Sequence, residues 1–187
     1  MPLAVNLAGL ALIGGAAAAG IAMGRIAVRP VVGQALSADV AAMLLVAAAL
    51  LLLAMPAIYT VQAHATGVPG LVAHALLSTG LLLFVIVAAT PLVYPSIGVS
   101  TIEHPVVFGL GIALTLGLVL TAIVTLQAGV LPAPAAGLLL GAMAGFAFVF
   151  FVAEFLPPAA GQIGTAVCGS LLAVALAWMG VALWRHA

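Results

Sequence analysis

The chain has 187 residues, of which 67% are hydrophobic and 3% carry a charge, and its mean hydropathy is +1.50. A water-soluble domain is about half apolar and needs far more charged residues than this to cover its surface. The formal net charge is zero and the chain has three Lys and Arg residues in all, so it offers no basic surface for nucleic acid. The composition therefore predicts a protein whose partner is the lipid bilayer, and it excludes nucleic-acid binding.

Six apolar stretches reach the length of about 20 residues that a helix needs to cross a bilayer. The first has no cationic segment before it, which favours a retained span over a cleaved signal peptide. Ser37 is a suitable N-cap for the second, with Asp39 in the first turn, and Pro56 is expected to kink that helix or end it early. We predict one domain, residues 1–187, with an all-α fold: a polytopic transmembrane helix bundle of about six spans, at residues 3–24, 39–59, 69–91, 104–127, 134–155 and 163–184.

An even number of spans puts both termini on the same side of the membrane. The positive-inside count sets Arg25 and Arg29 in the first loop against Arg185 and the terminal amine on the other side. This count is a tie, and cytoplasmic termini are only a weak expectation. The abundance of Ala, Gly, Val and Leu, with arginine as the only cation besides histidine, is typical of GC-rich bacterial genomes. We expect a multi-pass protein of the bacterial inner membrane.

Five charged residues, together with His104, fall on one predicted face of the bundle: Arg25, Arg29, Asp39, Glu103 and Glu154. The two arginines are four residues apart and so point the same way on a helix. One interpretation is an ion-pair network at the interface, with Glu103 also closing an S-x-x-E capping box at residues 100–103. The other is a gate or proton site centred on Glu154, because ionisable residues at membrane depth are functional candidates.

His74 and Ser78 form the second candidate site, a polar pair four residues apart inside the third span. His74 could ligate a cofactor, shuttle protons or simply form a hydrogen bond within the bundle. The other histidines do not converge on it in this topology, so we predict no metal site and no cofactor. The sequence also has no metalloprotease, nucleophile-elbow or phosphate-loop motif, which argues against an enzyme.

Glycines at four-residue spacing predict close helix packing. They lie in the first span (Gly20, Gly24) and the fifth (Gly137, Gly141, Gly145). We expect these two helices near the centre of the bundle, packed within the chain; dimerisation through one of these faces is the alternative.

Three hydrophobic segments resemble those of a family of small, uncharacterised six-helix integral membrane proteins of actinobacteria and related bacteria. They are residues 108–113 (FGLGIA), 127–140 (QAGVLPAPAAGLLL) and 176–185 (LAWMGVALWR). In that family arginines usually flank the Val-Leu-Pro turn, whereas Gln127 stands here. The resemblance implies a membrane bundle and no particular activity.

Two functions remain open from the sequence. The first is a structural or partner-binding membrane component, with other membrane proteins as its partners. The second is a small permease or channel that uses the Arg25, Arg29, Glu103 and Glu154 face as its gate. They differ in one structural property, because a permease needs a polar cavity that reaches the bilayer centre.

Overall fold

The computed structural model describes residues 2–28, 37–93, 104–152, 155 and 157–186. Within these ranges the chain forms five helices and no strand. They are α1 (Pro2–Val28), α2 (Ala38–Val93), α3 (His104–Ala128), α4 (Ala133–Val152) and α5 (Pro158–His186). The prediction of an all-helical fold is therefore confirmed.

Helix α2 is 56 residues long and is broken at Gly67, the one residue inside it with non-helical backbone angles. The rings of Tyr59 and His74 lie 5.1 Å apart and are stacked. Fifteen residues of unbroken helix would separate them by about 22 Å, so the chain must fold back on itself at Gly67. We call residues 38–66 the first arm of α2 and residues 68–93 its second arm.

The sequence explains most of the helix boundaries. Pro158 occupies the first position of α5, where a missing N–H costs little. Ser37 directly precedes α2, and its carbonyl oxygen accepts the first backbone hydrogen bond of that helix, from Ala41. Gly129, with φ of 64°, ends α3 because a left-handed residue can close a helix where glycine is available.

The break in α2 falls between the second and third predicted spans, at Gly67. The helix continues through Pro56 to residue 66, so the expectation that Pro56 ends it early is wrong. Pro56 removes one backbone donor and its side chain is exposed. Membrane helices tolerate proline under such conditions.

The helices pack in a closed ring. Helix α1 contacts α2 and α5, α2 contacts α3, α3 contacts α4, and α4 contacts α5. The largest side chains that are fully buried inside the ring come from four of the five helices: Leu12, Thr125, Leu139, Met179 and Leu183. Small residues fill the space between them, including Ala54, Ala122, Ala142 and Ala175. The core is therefore apolar and close-packed over most of its length.

Apolar side chains also cover the outside of the bundle. Every helix exposes large hydrophobic residues, for example Leu3, Leu53, Leu116, Phe148 and Ile163. Among the described residues, four helices are long and apolar enough to cross a membrane, at Leu3–Ile26, Ala38–Thr90, Gly109–Ala128 and Ala159–Arg185, with a shorter apolar helix at Ala133–Val149. An apolar surface of this extent is typical of a membrane protein.

Candidate functional site

Polar side chains gather near the Gly67 end of the bundle. Gln62 in the first arm of α2 is buried, and its amide Nε2 donates a hydrogen bond of 3.0 Å to Oγ1 of Thr125 in α3. Thr66, one turn closer to Gly67, donates its hydroxyl to the carbonyl oxygen of Gln62 at 2.9 Å. The first arm of α2 is thus joined to α3 by a polar contact in an otherwise apolar core.

Tyr59 and His74 complete this cluster from the two arms of α2. Their rings stack with an interplanar angle of 29°, which the fold-back at Gly67 makes possible. Neither ring has a hydrogen-bond partner among the described residues. The stacking contact with Tyr59 therefore positions the His74 ring.

A small cavity lies between these side chains. About 20 Å³ is open to a water molecule there, and the wall comes from both arms of α2 and from α3. The polar members of the wall are Tyr59, Gln62, Thr66, His74 and Thr121. Gln62 lies about 8 Å along its helix from Gly67 and His74 about 10 Å, whereas Met55, which also lines the cavity, lies about 18 Å away. The cavity therefore extends from the Gly67 end toward the middle of the first arm.

Thr121 is the polar side chain of the wall that stands out. It is 8% exposed, and its hydroxyl has no hydrogen-bond partner in the part of the chain that the structure describes. The hydroxyl oxygen itself is not fully enclosed, since Oδ1 of Asn6 is the one enclosed side-chain oxygen or nitrogen without a partner among the described residues. The Thr121 hydroxyl is therefore open to a small polar partner in the cavity.

Of the two residues in the second predicted site, His74 and Ser78, one lines the cavity. His74 lines the cavity, whereas Ser78, one turn further along the second arm, is not among the lining residues. No group of three His, Cys, Asp or Glu residues able to hold a metal ion occurs among the described residues. The cavity wall carries no carboxylate, so its chemistry is that of neutral hydrogen bonding.

The predicted charged face is described only in part. Arg25 pairs with Asp39 through its Nη1 and the Oδ2 of the carboxylate, which brings the end of α1 to the start of α2. Both side chains are more than a third exposed. Arg29, Glu103 and Glu154 lie outside the described residues, and so does the whole predicted capping box at residues 100–103. Asp39, which the sequence places on the same face, is the partner of Arg25.

The predicted packing glycines lie in different surroundings. Gly145 faces the Cys168 side chain of α5, and Gly20 is in ordinary contact with Ala173. Gly24, Gly137 and Gly141 have nothing within 4 Å of the point where a β-carbon would stand. Of the three glycines on α4, Gly137 and Gly141 therefore face the outside of the bundle, and Gly145 faces α5.

The closest helix crossings use other glycines. A β-carbon on Gly117 of α3 would come within 2.6 Å of the Leu77 backbone, and one on Gly80 would come within 2.8 Å of the Leu114 backbone. These two glycines allow the backbones of α3 and the second arm of α2 to pack at close distance, and both elements contribute to the cavity wall.

An open groove runs along the outer surface between the end of α1 and the first half of α5. Its volume is about 390 Å³, and its wall consists of Gly24, Ile163, Ala166, Val167, Ser170, Leu171 and Val174. The Ser170 hydroxyl donates to the carbonyl oxygen of Ala166 at 2.8 Å, so its one donor is already used within the helix. The groove is therefore apolar in character, as a surface against lipid chains should be.

Gln62, Thr121 and Thr125 were not predicted as site residues from the sequence. Two features could have indicated them: Thr121 and Thr125 are four residues apart and so share one face of α3, and Gln62 is a lone glutamine in an apolar helix. Comparison with known proteins adds no precedent for this cluster: no protein-family model, no curated protein and no solved structure matches the chain.

Proposed function

We propose that this chain is a six-span membrane protein that binds other transmembrane helices as a component of a larger assembly. The six spans would be α1, the two arms of α2, α3, α4 and α5, since each arm of α2 exceeds the length of about 20 residues that a crossing needs. In keeping with the family resemblance, the protein would lie in a bacterial cell membrane with both termini in the cytoplasm.

The observation that carries this proposal is the outward small-residue face of α4. Gly137, Gly141 and Ala144 recur every three or four residues, and all three are exposed. Helices associate in lipid mainly by close van der Waals packing, and small residues permit the closest approach. Among the described residues, no helix lies within 4 Å of the β-carbon positions of Gly137 and Gly141, so this face is open to a helix from outside.

The interior argues against the permease alternative. Ala16 of α1 and Ala142 of α4 lie midway along their helices and are buried, and the neighbouring core positions are apolar. The polar cavity holds about 20 Å³, which is room for about one water molecule. A bilayer core is about 30 Å thick, so a space of this size is no continuous polar route across it.

Cysteine accessibility tests the packed interior. In a Cys168→Ala background, Ala16→Cys and Ala142→Cys are treated in liposomes with a membrane-impermeant thiol reagent, and Ser37→Cys serves as the exposed control. We expect modification of Ser37→Cys only. Modification at both mid-depth positions would indicate a solvated path and support a permease.

Site-specific photo-crosslinking in native membranes tests partner binding. A photoreactive residue at Ala144, on the outward face of α4, should yield a defined protein adduct. The same residue at Leu53, which is 71% exposed on α2, should yield lipid adducts only. Lipid adducts alone at both positions would contradict the proposal.

A further inference from the structure

We propose that the cavity beside Gly67 binds one water molecule, held by Thr121 of α3 and Gln62 of α2. The water would join α3 to both arms of α2 at a point where their side chains do not meet directly. This inference does not depend on the proposed partner binding.

The Thr121 hydroxyl lacks the internal hydrogen bond that several other threonines make. Thr66, Thr90 and Thr165 each donate to the carbonyl oxygen four residues earlier, at 2.8–2.9 Å. This internal bond satisfies a hydroxyl group within a helix. Thr121 makes no such bond to any described residue, although its side chain is largely buried and lines the cavity. Because its oxygen is not a fully enclosed atom, the hydroxyl is open to a water molecule in the cavity.

Gln62 supplies the complementary group. Its side chain is 3% exposed, and one amide N–H is used in the bond to Thr125. Its side-chain oxygen has no partner among the described residues, and it is an acceptor. The Thr121 hydroxyl and the Gln62 amide therefore present a donor and an acceptor to the same small space, with the His74 ring as a third member of the wall.

The size of the cavity selects the ligand. A cavity needs about 10–15 Å³ of such volume to hold a water molecule, and the water needs two to four polar partners. The cavity offers about 20 Å³, which accommodates one water. A cation is unfavourable because the wall holds no carboxylate, and an unpaired charge in an apolar interior costs far more than neutral hydrogen bonds return.

Radiolytic oxidation in lipid nanodiscs tests this proposal, because a brief X-ray pulse turns a bound water into hydroxyl radical beside its neighbours. Met55 and Met179 form a matched pair: both are buried, at 3% and 1% exposure, but Met55 lines the cavity and Met179 lies in the apolar core. We expect oxidation of Met55 and protection of Met179, with ¹⁸O incorporated at Met55 when the sample is equilibrated in H₂¹⁸O.

Two variants connect the labelling to Thr121. Thr121→Val keeps the side-chain shape and removes the hydroxyl, so oxidation of Met55 should be lost. Thr115→Val, on the exposed side of the same helix, should leave the oxidation unchanged. Protection of Met55 equal to that of Met179 in the unaltered protein would overturn the proposal, and so would persistent labelling of Met55 in Thr121→Val.

Discussion

Gly9 and Gly180 lie back to back where α1 crosses α5: a β-carbon added to either would come within 2.7 Å of the carbonyl oxygen of the other. The obstacle is backbone on both sides, so neither helix can relieve the clash by moving a side chain. This contact sets the distance between the first and last helices and helps to close the ring.

Gly9→Ala or Gly180→Ala should therefore destabilise the protein. Overpacking of a well-packed contact costs about 1–3 kcal/mol, and we expect each variant to lower the free energy of unfolding by that amount in detergent or bicelles. The matched control is Gly137→Ala, where the added methyl group meets nothing and the effect should stay within about 0.5 kcal/mol. Equal losses in the variants and the control would contradict this account.

Gly67 should be the least replaceable residue of the α2 turn. Its φ of 54° and ψ of −133° fall in a region that is open to glycine and strained for other residues. Strain of this kind costs about 1–3 kcal/mol, so Gly67→Ala should lower the unfolding free energy by this amount. Gly161→Ala serves as the control because Gly161 has no positive φ and open space around it; it should be neutral or slightly stabilising. No loss in Gly67→Ala would mean that the chain can turn without this backbone geometry.

The sequence predicted the helical class because hydrophobic length and proline placement act locally. Pro158, for example, marks the start of α5 through its own backbone chemistry. The α2 turn at Gly67 lies between the second and third predicted spans. Pro56 was a second candidate for the break, and tertiary packing decides which residue interrupts the helix.

The polar site required information that no single segment contains. Gln62 and Thr125 are 63 residues apart and meet only after α2 folds back against α3. Likewise, the spacing of Gly137 and Gly141 indicates a close-packing face but not the direction in which that face points. Which helix lies opposite is a property of the assembled ring.

The Gln62–Thr125 hydrogen bond should contribute a measurable coupling energy. Such bonds between membrane helices average about 0.6 kcal/mol and reach about 1.7 kcal/mol. We expect Gln62→Leu and Thr125→Val each to destabilise the protein. The double variant should lose less than the sum of the two, by an amount in this range, in a double-mutant cycle measured by unfolding in bicelles. Strict additivity would show that the bond contributes nothing.

The Arg25–Asp39 pair should contribute little to stability. Its side chains are 43% and 36% exposed, and exposed ion pairs contribute little because water and salt screen them. Asp39→Asn should therefore change the unfolding free energy only slightly, and any loss should shrink as salt is raised. A larger loss that is insensitive to salt would indicate that the pair is shielded from water in the membrane.

Asn6 offers a stabilising substitution. Its Oδ1 is buried in α1 without a hydrogen-bond partner among the described residues, and leaving such an acceptor unsatisfied costs about 1–3 kcal/mol. Asn6→Leu removes the polar group at similar side-chain volume, so it should raise the unfolding free energy by up to this amount. Gln127→Leu, an exposed site near the same end of the bundle, should bring no comparable gain. Destabilisation by Asn6→Leu would mean that the Oδ1 atom accepts a hydrogen bond in the membrane. Because no described residue donates one, the donor would be a water molecule or a helix of another protein.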